Sequence, residues 1–275
     1  MKNLFYTLAL ALVCHVELAQ NTNTKVRQTF RDSVADKYLK NGAWHYLIFS
    51  HEWEKYIDTA IGLDPTNGYL WQQRAMPYFK CGKYEVGMKY LDKAVDANPD
   101  YLDYRAFNKC IFCKSYENAI ADFEKAKSVK GQSYIMDRTY DFYLGLCYLQ
   151  LDKFDKAEEY FKSSIAFQTK KTDDSGVSYL DWFYLGVTYY EKEDYTLAVK
   201  YLDRAIKDYS HFSDAKYYKA KCFIYLNKNK EALELLSESL ADIKVGYTIN
   251  EGNSKYEKYP YQVEKEILEL ELGVK

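Results

Sequence analysis

Two apolar patterns divide this chain. The first is a continuous run from Leu4 to Val13, broken only by Thr7 and preceded by Lys2. A helix of about ten residues rises about 15 Å, half the thickness of a hydrocarbon core, so the run predicts an export signal and not a membrane span. Ala19 is then the last residue before cleavage and Gln20 the new terminus, giving a signal over residues 1–19. Two alternatives stand beside this reading. Cys14 closes the run and would be the lipidated residue of a lipoprotein, although the bulky Val13 precedes it. Glu17 occupies a place where a small residue is expected, which leaves a cytosolic chain with an apolar start.

The second pattern is helical. Val26–Leu39 and Ala43–Ile61 read as helices rich in aromatics, among them Tyr38, Trp44, Trp53 and Tyr56. Beyond them, small residues recur at positions 60, 94, 126, 164, 205 and 239, in steps of 34, 32, 38, 41 and 34. A second series at 75, 107, 145, 186 and 220 steps by 32, 38, 41 and 34, with Phe107 large where Gly or Ala is normal, which allows a register one residue off in that unit. Two independent series with one spacing mark a repeat whose unit is a pair of helices. The longer steps place insertions near Ser128–Met136 and Thr169–Ser178.

The motifs within each unit are specific. Trp182-x2-Leu185-Gly186-x2-Tyr189 is followed by Tyr195, Ala198, Leu202 and Ala205. Leu144-Gly145-x2-Tyr148 precedes Phe154 and Ala157-x3-Phe161, and Trp71-x2-Arg74-Ala75-x2-Tyr78 precedes Tyr84, Gly87, Leu91, Ala94 and Pro99. Weaker copies run through Phe107, Ala119 and Phe123, and through Ala220, Ala232 and Leu236. Over residues 25–240 the chain therefore resembles tetratricopeptide-repeat proteins, of an exported bacterial type if the signal is real. The resemblance implies an all-α fold, a right-handed superhelical solenoid of stacked antiparallel helix pairs. Gly145 and Gly186 let the partner helix approach closely, and each pair leaves an apolar edge that the next must cover. The expected organisation is residues 25–66 as amino-terminal helices with a degenerate repeat, 67–240 as five repeats, and 241–275 as a mobile connection with a capping helix. In that last part Lys244–Tyr259 reads as polar and partly mobile. Tyr261–Leu272 carries Val263, Ile267 and Leu270 at helical spacing, as a cap or as a segment that docks on a partner. Pro77 falls inside a predicted first helix and implies a kink.

In this family the first helices line a groove. Register carried over from the repeat motif puts Tyr104 and Asn108, Phe142 and Leu146, Phe183 and Val187, and Tyr217 and Lys221 on that face as candidate partner-binding residues. Only Asn108 and Lys221 could match the Lys, Asn and Arg clamp of relatives that hold chaperone C-termini. Tyr104, Phe142, Phe183 and Tyr217 instead form an aromatic stripe. It serves either as a groove for an extended or helical peptide with apolar anchors, or as internal packing.

Composition adds mostly exclusions. Apolar residues are 48% and charged residues 28%, enough for a packed core with a solvated surface. The net charge of −2 gives no bulk attraction for nucleic acid or an anionic membrane. Tyrosine is abundant at 30 residues, which suits many half-buried helix contacts. Of four histidines, His45 and His51 are six apart, about 240° round a helix, and cannot chelate one metal from one face. No phosphate loop or nucleophile elbow is present in the sequence. Cys110-x-x-Cys113 is half of a redox or metal motif, but the thiols fall in predicted helices and read better as core filler. No cofactor or metal is expected.

These readings combine into a non-enzymatic scaffold of the bacterial cell envelope, periplasmic or outer-membrane associated, that binds a partner protein or peptide through its aromatic face. A cytoplasmic location follows if the signal is not one. The alternatives are an enzyme or metal/redox protein built on Cys110, Cys113 and the insertions, and a self-assembling repeat protein.

Overall fold

The computed structural model describes residues 24–172 and 176–274. The candidate export segment, with Cys14 and the cleavage point at Ala19, lies outside the described residues, as does part of the insertion expected near Thr169–Ser178. The described residues are all-α apart from one two-residue-stranded ribbon. Their helices are α1 (24–35, continued by a π turn at Asp36–Lys40), α2 (His51–Leu63), α3 (Gly68–Lys80), α4 (Tyr84–Ala97), α5 (Leu102–Ile111) and α6 (Tyr116–Lys130). There follow strands β1 (Tyr134–Ile135) and β2 (Arg138–Thr139), then α7 (Tyr140–Gln150), α8 (Phe154–Thr172), α9 (Tyr179–Glu191), α10 (Tyr195–Asp208), α11 (Ser213–Tyr225), α12 (Asn229–Lys244) and α13 (Lys265–Glu271).

Two compact units divide the chain, residues 24–78 with Glu85–Tyr101, and Phe79–Tyr84 with residues 102–274. In the first, Leu39, Trp53, Ile57, Ala60 and Leu70 form the core, and the buried Arg74 pairs with Asp58 at 2.7 Å and with Glu54. Pro77 is contained within α3.

In the second unit α5 and α6, α7 and α8, α9 and α10, and α11 and α12 are antiparallel pairs, and each pair also packs on the next. Glycine sets the separation within two pairs. A Cβ on Gly145 would lie 2.9 Å from the Phe161 ring, and one on Gly186 would lie 2.8 Å from Leu202 Cγ. The turns inside the pairs share one device. Asp152, Glu193 and Asn227 take positive φ after α7, α9 and α11. The next amide then donates back to the helix, Lys153 to Tyr148, Asp194 to Tyr189 and Lys228 to Phe223, which satisfies a terminal carbonyl.

The insertion near Ser128–Met136 is the ribbon. Met136 and Asp137 both have positive φ, the requirement of a two-residue hairpin turn of type I′, and the turn brings Arg138 to the start of α7. Thr139 then caps α7 by accepting from the Phe142 amide at 3.0 Å.

The carboxyl-terminal residues differ from the sequence expectation in the register of the last helix. Lys244–Tyr259 is tied to the first helices, with Ile249 and Tyr259 buried. In α13 it is Leu268 that is buried, while Ile267 and Leu270 are exposed. The helix begins only at Lys265, so Val263 precedes it in extended chain and does not share its register.

Gly186→Ala should lower stability by about 1–3 kcal/mol, because overpacking against Leu202 outweighs the gain in helix propensity of about 1 kcal/mol. Urea unfolding followed by circular dichroism measures the difference.

Candidate functional site

The aromatic residues expected to line an open face are mostly inside. Phe142, Leu146, Phe183 and Val187 have no exposed surface, and Asn108 is buried with its amide donating to the Tyr104 carbonyl at 2.8 Å. Tyr104, Tyr217 and Lys221 are half-buried. Phe142 packs edge-on against Tyr184 of the next first helix at 5.6 Å, and Phe183 against Tyr218 at 5.9 Å. These phenylalanines therefore join one repeat to the next. The groove register taken from the family falls one residue short. It is Tyr184 and Tyr218, each immediately following a residue of the predicted stripe, that meet the carboxyl-terminal segment, with Tyr143 within electrostatic reach of its Tyr259 and Glu251. The signal was present in the repeated aromatic dipeptides Phe142-Tyr143, Phe183-Tyr184 and Tyr217-Tyr218.

A second set of residues went unnoticed in the sequence. Each first helix of this unit carries an aspartate in its first turn, Asp103, Asp141, Asp181 and Asp214, and all four are buried. The partial positive charge of a helix N-terminus favours an anion there, but a buried carboxylate still needs donors. Neighbouring elements supply them. Asp103 accepts from the Tyr140 hydroxyl at 2.5 Å and from Lys130 at 3.0 Å. Asp141 accepts from Lys127 at 2.5 Å and Ser163 at 2.6 Å, and Asp181 from Ser164 at 2.5 Å.

For Asp214, on the last pair, the carboxyl-terminal segment supplies the donors. Asp214 Oδ2 accepts from the Thr248 hydroxyl at 2.7 Å and the Ile249 amide at 3.0 Å, and its Oδ1 accepts from the Val263 amide at 2.7 Å. One carboxylate thus holds both limbs of an excursion that leaves α12, reaches toward the earlier helices and returns. On the outward limb Glu251 pairs with Arg138. At the far end Lys80 sits over the Tyr256 ring at 5.1 Å, and Glu257 meets Tyr84 and, at 3.4 Å, Lys114. On the return the Pro260 carbonyl accepts from the Tyr184 hydroxyl at 2.8 Å, and Tyr261 packs edge-on to Tyr218. Helix α13 closes the end, where Glu271 accepts from Tyr217 at 2.9 Å and from Lys221 at 3.1 Å. Leu268 completes a cluster with Ala220, Leu236 and Leu240. The first-helix face is therefore a surface on which a polypeptide segment is already bound.

The cations of this face stand at helix ends and in the ribbon, not in the helix interiors where a family clamp would place them; of the predicted cations and amides, Lys221 alone joins in. Burial leaves two donors of the face without partners, Tyr143 Oη and Arg138 Nε. Burial pushes Cys113 up to about 11 and Cys147 well above the ordinary thiol value, and Cys147 interacts with Cys110 from the neighbouring helix. No cluster of metal-ligating side chains occurs among the described residues, and no helix among them is long and apolar enough to cross a membrane.

Stacked helix hairpins with this small-residue spacing define a repeat protein, and the family models say which. The tetratricopeptide-repeat model matches residues 69–101 and 143–170, and that of subunit 3 of the anaphase-promoting complex, cyclosome, matches residues 170–239. The chain is a tetratricopeptide-repeat protein. No curated protein sequence matches it. Among solved structures it is similar to PilW, a widely conserved type IV pilus biogenesis factor, with TM-score 0.60 and 17% identity over 78% of this chain and 93% of that one. It is similar to pilF of Pseudomonas aeruginosa, with TM-score 0.59 and 16% identity over 78% and 94%. YrrB, described as having an unusual peptide-binding site, matches with TM-score 0.50 and 17% identity over 69% and 93%. At these identities the likeness is one of fold.

Two of the four aspartates give the fold a pH signature. Burial raises Asp181 and Asp214 from 3.8 to about 6. The folded chain then binds protons more tightly than the unfolded one, so their contribution is complete below about pH 4 and is lost as pH rises through 6. Glu158 is penalised by burial but held down at about 2 by hydrogen bonds from Lys162, Lys192 and Tyr189, so its opposite effect falls below its ordinary value of 4.5. The urea midpoint should therefore be higher at pH 5 than at pH 7, and the difference should shrink in Asp181→Asn/Asp214→Asn.

Proposed function

We propose that this protein is a non-enzymatic interaction scaffold of the bacterial cell envelope that takes a polypeptide segment of a partner onto its first-helix face. The observation that carries this reading is the mode in which residues 245–264 lie there. Main-chain amides reach a buried carboxylate, a main-chain carbonyl reaches Tyr184, and side-chain carboxylates reach Arg138 and Lys114. Main-chain contacts of this kind suit an extended segment with few demands on its sequence, and the side-chain pairs add selectivity. The tetratricopeptide fold generally serves protein–protein interaction, and the peptide-binding site described for YrrB supports the choice of ligand. The envelope assignment is supported by the apolar run Leu4–Val13 and by the pilus-biogenesis role given for PilW.

A photo-crosslinking residue at Lys114, on this face, should capture a partner in cells, while one at Leu233, exposed on a second helix, should not. Equal capture from both positions, or none from Lys114, removes the face from the proposal.

A further inference from the structure

We infer that residues 245–264 are a displaceable occupant of the first-helix face, and that the partner they give way to is an extended, acidic, tyrosine-bearing segment. This rests on the binding reading above and adds its regulation and the chemistry of the ligand.

The chemistry of the ligand is read from the fit of the present occupant. Glu251 meets Arg138 and Glu257 meets Lys114, while the tyrosines between and beyond them lie against Lys80 and Tyr218. A segment with two carboxylates flanking or preceding aromatic rings satisfies the same groups.

Displacement follows from how little holds the segment. Its buried apolar residues are Ile249, Tyr259, Pro260 and Val263, whereas α7 and α9 each bury ten consecutive residues. Lys114 and Glu257 are 34% and 22% exposed, so that pair is screened by solvent and weak. Few buried apolar residues and one half-open ion pair, at the far end, put the segment at the low-stability end of the fold, where local opening precedes global unfolding. The fit is also incomplete. Glu251 engages Arg138 through Nη2 alone, and the buried Arg138 Nε and Tyr143 hydroxyl face no acceptor. A carboxylate that took the guanidinium forkwise would satisfy the first of these and bind more strongly.

Amide hydrogen exchange on the full chain tests the displacement. The amides of Ile249 and Val263 should exchange together, at least about tenfold faster than those of α9, while α9 stays protected. Exchange at the α9 rate makes the segment a fixed cap and overturns the inference. A labelled peptide of residues 247–263 tests the ligand chemistry. It should bind the full-length Glu251→Lys/Glu257→Lys chain at least about tenfold more tightly than the unaltered chain. The same peptide carrying Glu251→Lys and Glu257→Lys should not bind. Equal binding to both chains, binding of the reversed peptide, or concentration-dependent dimers that exchange the segment between copies would each overturn it. Should the altered chain not fold, exchange on the unaltered chain decides alone. A fixed cap ends this inference only, because Lys114 is one-third exposed with the segment in place and its cross-links still decide the binding reading.

Discussion

A carboxylate buried in the first turn of a helix is the constraint on which the second unit turns. Its charge suits the helix end but is taken out of water, so donors must arrive from an adjacent element. Lys130 and Tyr140 do this for Asp103, Lys127 and Ser163 for Asp141, and Ser164 for Asp181. At Asp214, in the last pair, the same requirement holds. The chain meets it by sending its own carboxyl-terminal residues back with two main-chain amides and a threonine hydroxyl. Capping the last repeat and occupying the first-helix face are thus one structural event.

Aromatic packing gives that event its position. Phe142 and Phe183 bridge successive first helices, and the tyrosine following each is left at the inner side. There Tyr184 donates to the Pro260 carbonyl, and Tyr143 is within electrostatic reach of Tyr259 and Glu251. This is one use of a tyrosine-rich composition. The ring fills space between repeats while the hydroxyl addresses whatever crosses the face.

Much of the fold was legible in the sequence because its rule is local. Gly145 and Gly186 stand where a partner side chain meets the helix backbone, and the second-helix series of small residues repeats with the steps of a first-helix series that is small at every place but Phe107. The candidate site was legible in place but not in register. A one-residue shift exchanges the Phe that packs inward for the Tyr that reaches the occupant, and spacing taken from a family does not resolve one residue. The buried aspartates read as ordinary first-turn acids, since nothing in Leu102-Asp103 or Ser213-Asp214 announces burial. The fate of Lys244–Tyr259 was illegible for a different reason. Its polar residues suit water equally well, and its anchors, Arg138, Lys114 and Asp214, are far away in sequence.

The most direct test is tryptic cleavage at the exposed Lys255 and Lys258 in the full Asp214→Ala chain, beside circular dichroism. Loss of the carboxylate leaves the Ile249 and Val263 amides and the Thr248 hydroxyl without their acceptor. Cleavage should accelerate by about tenfold or more while the helical signal is retained. Unchanged cleavage, or cleavage that rises only together with loss of the helical signal, would contradict the role given to Asp214.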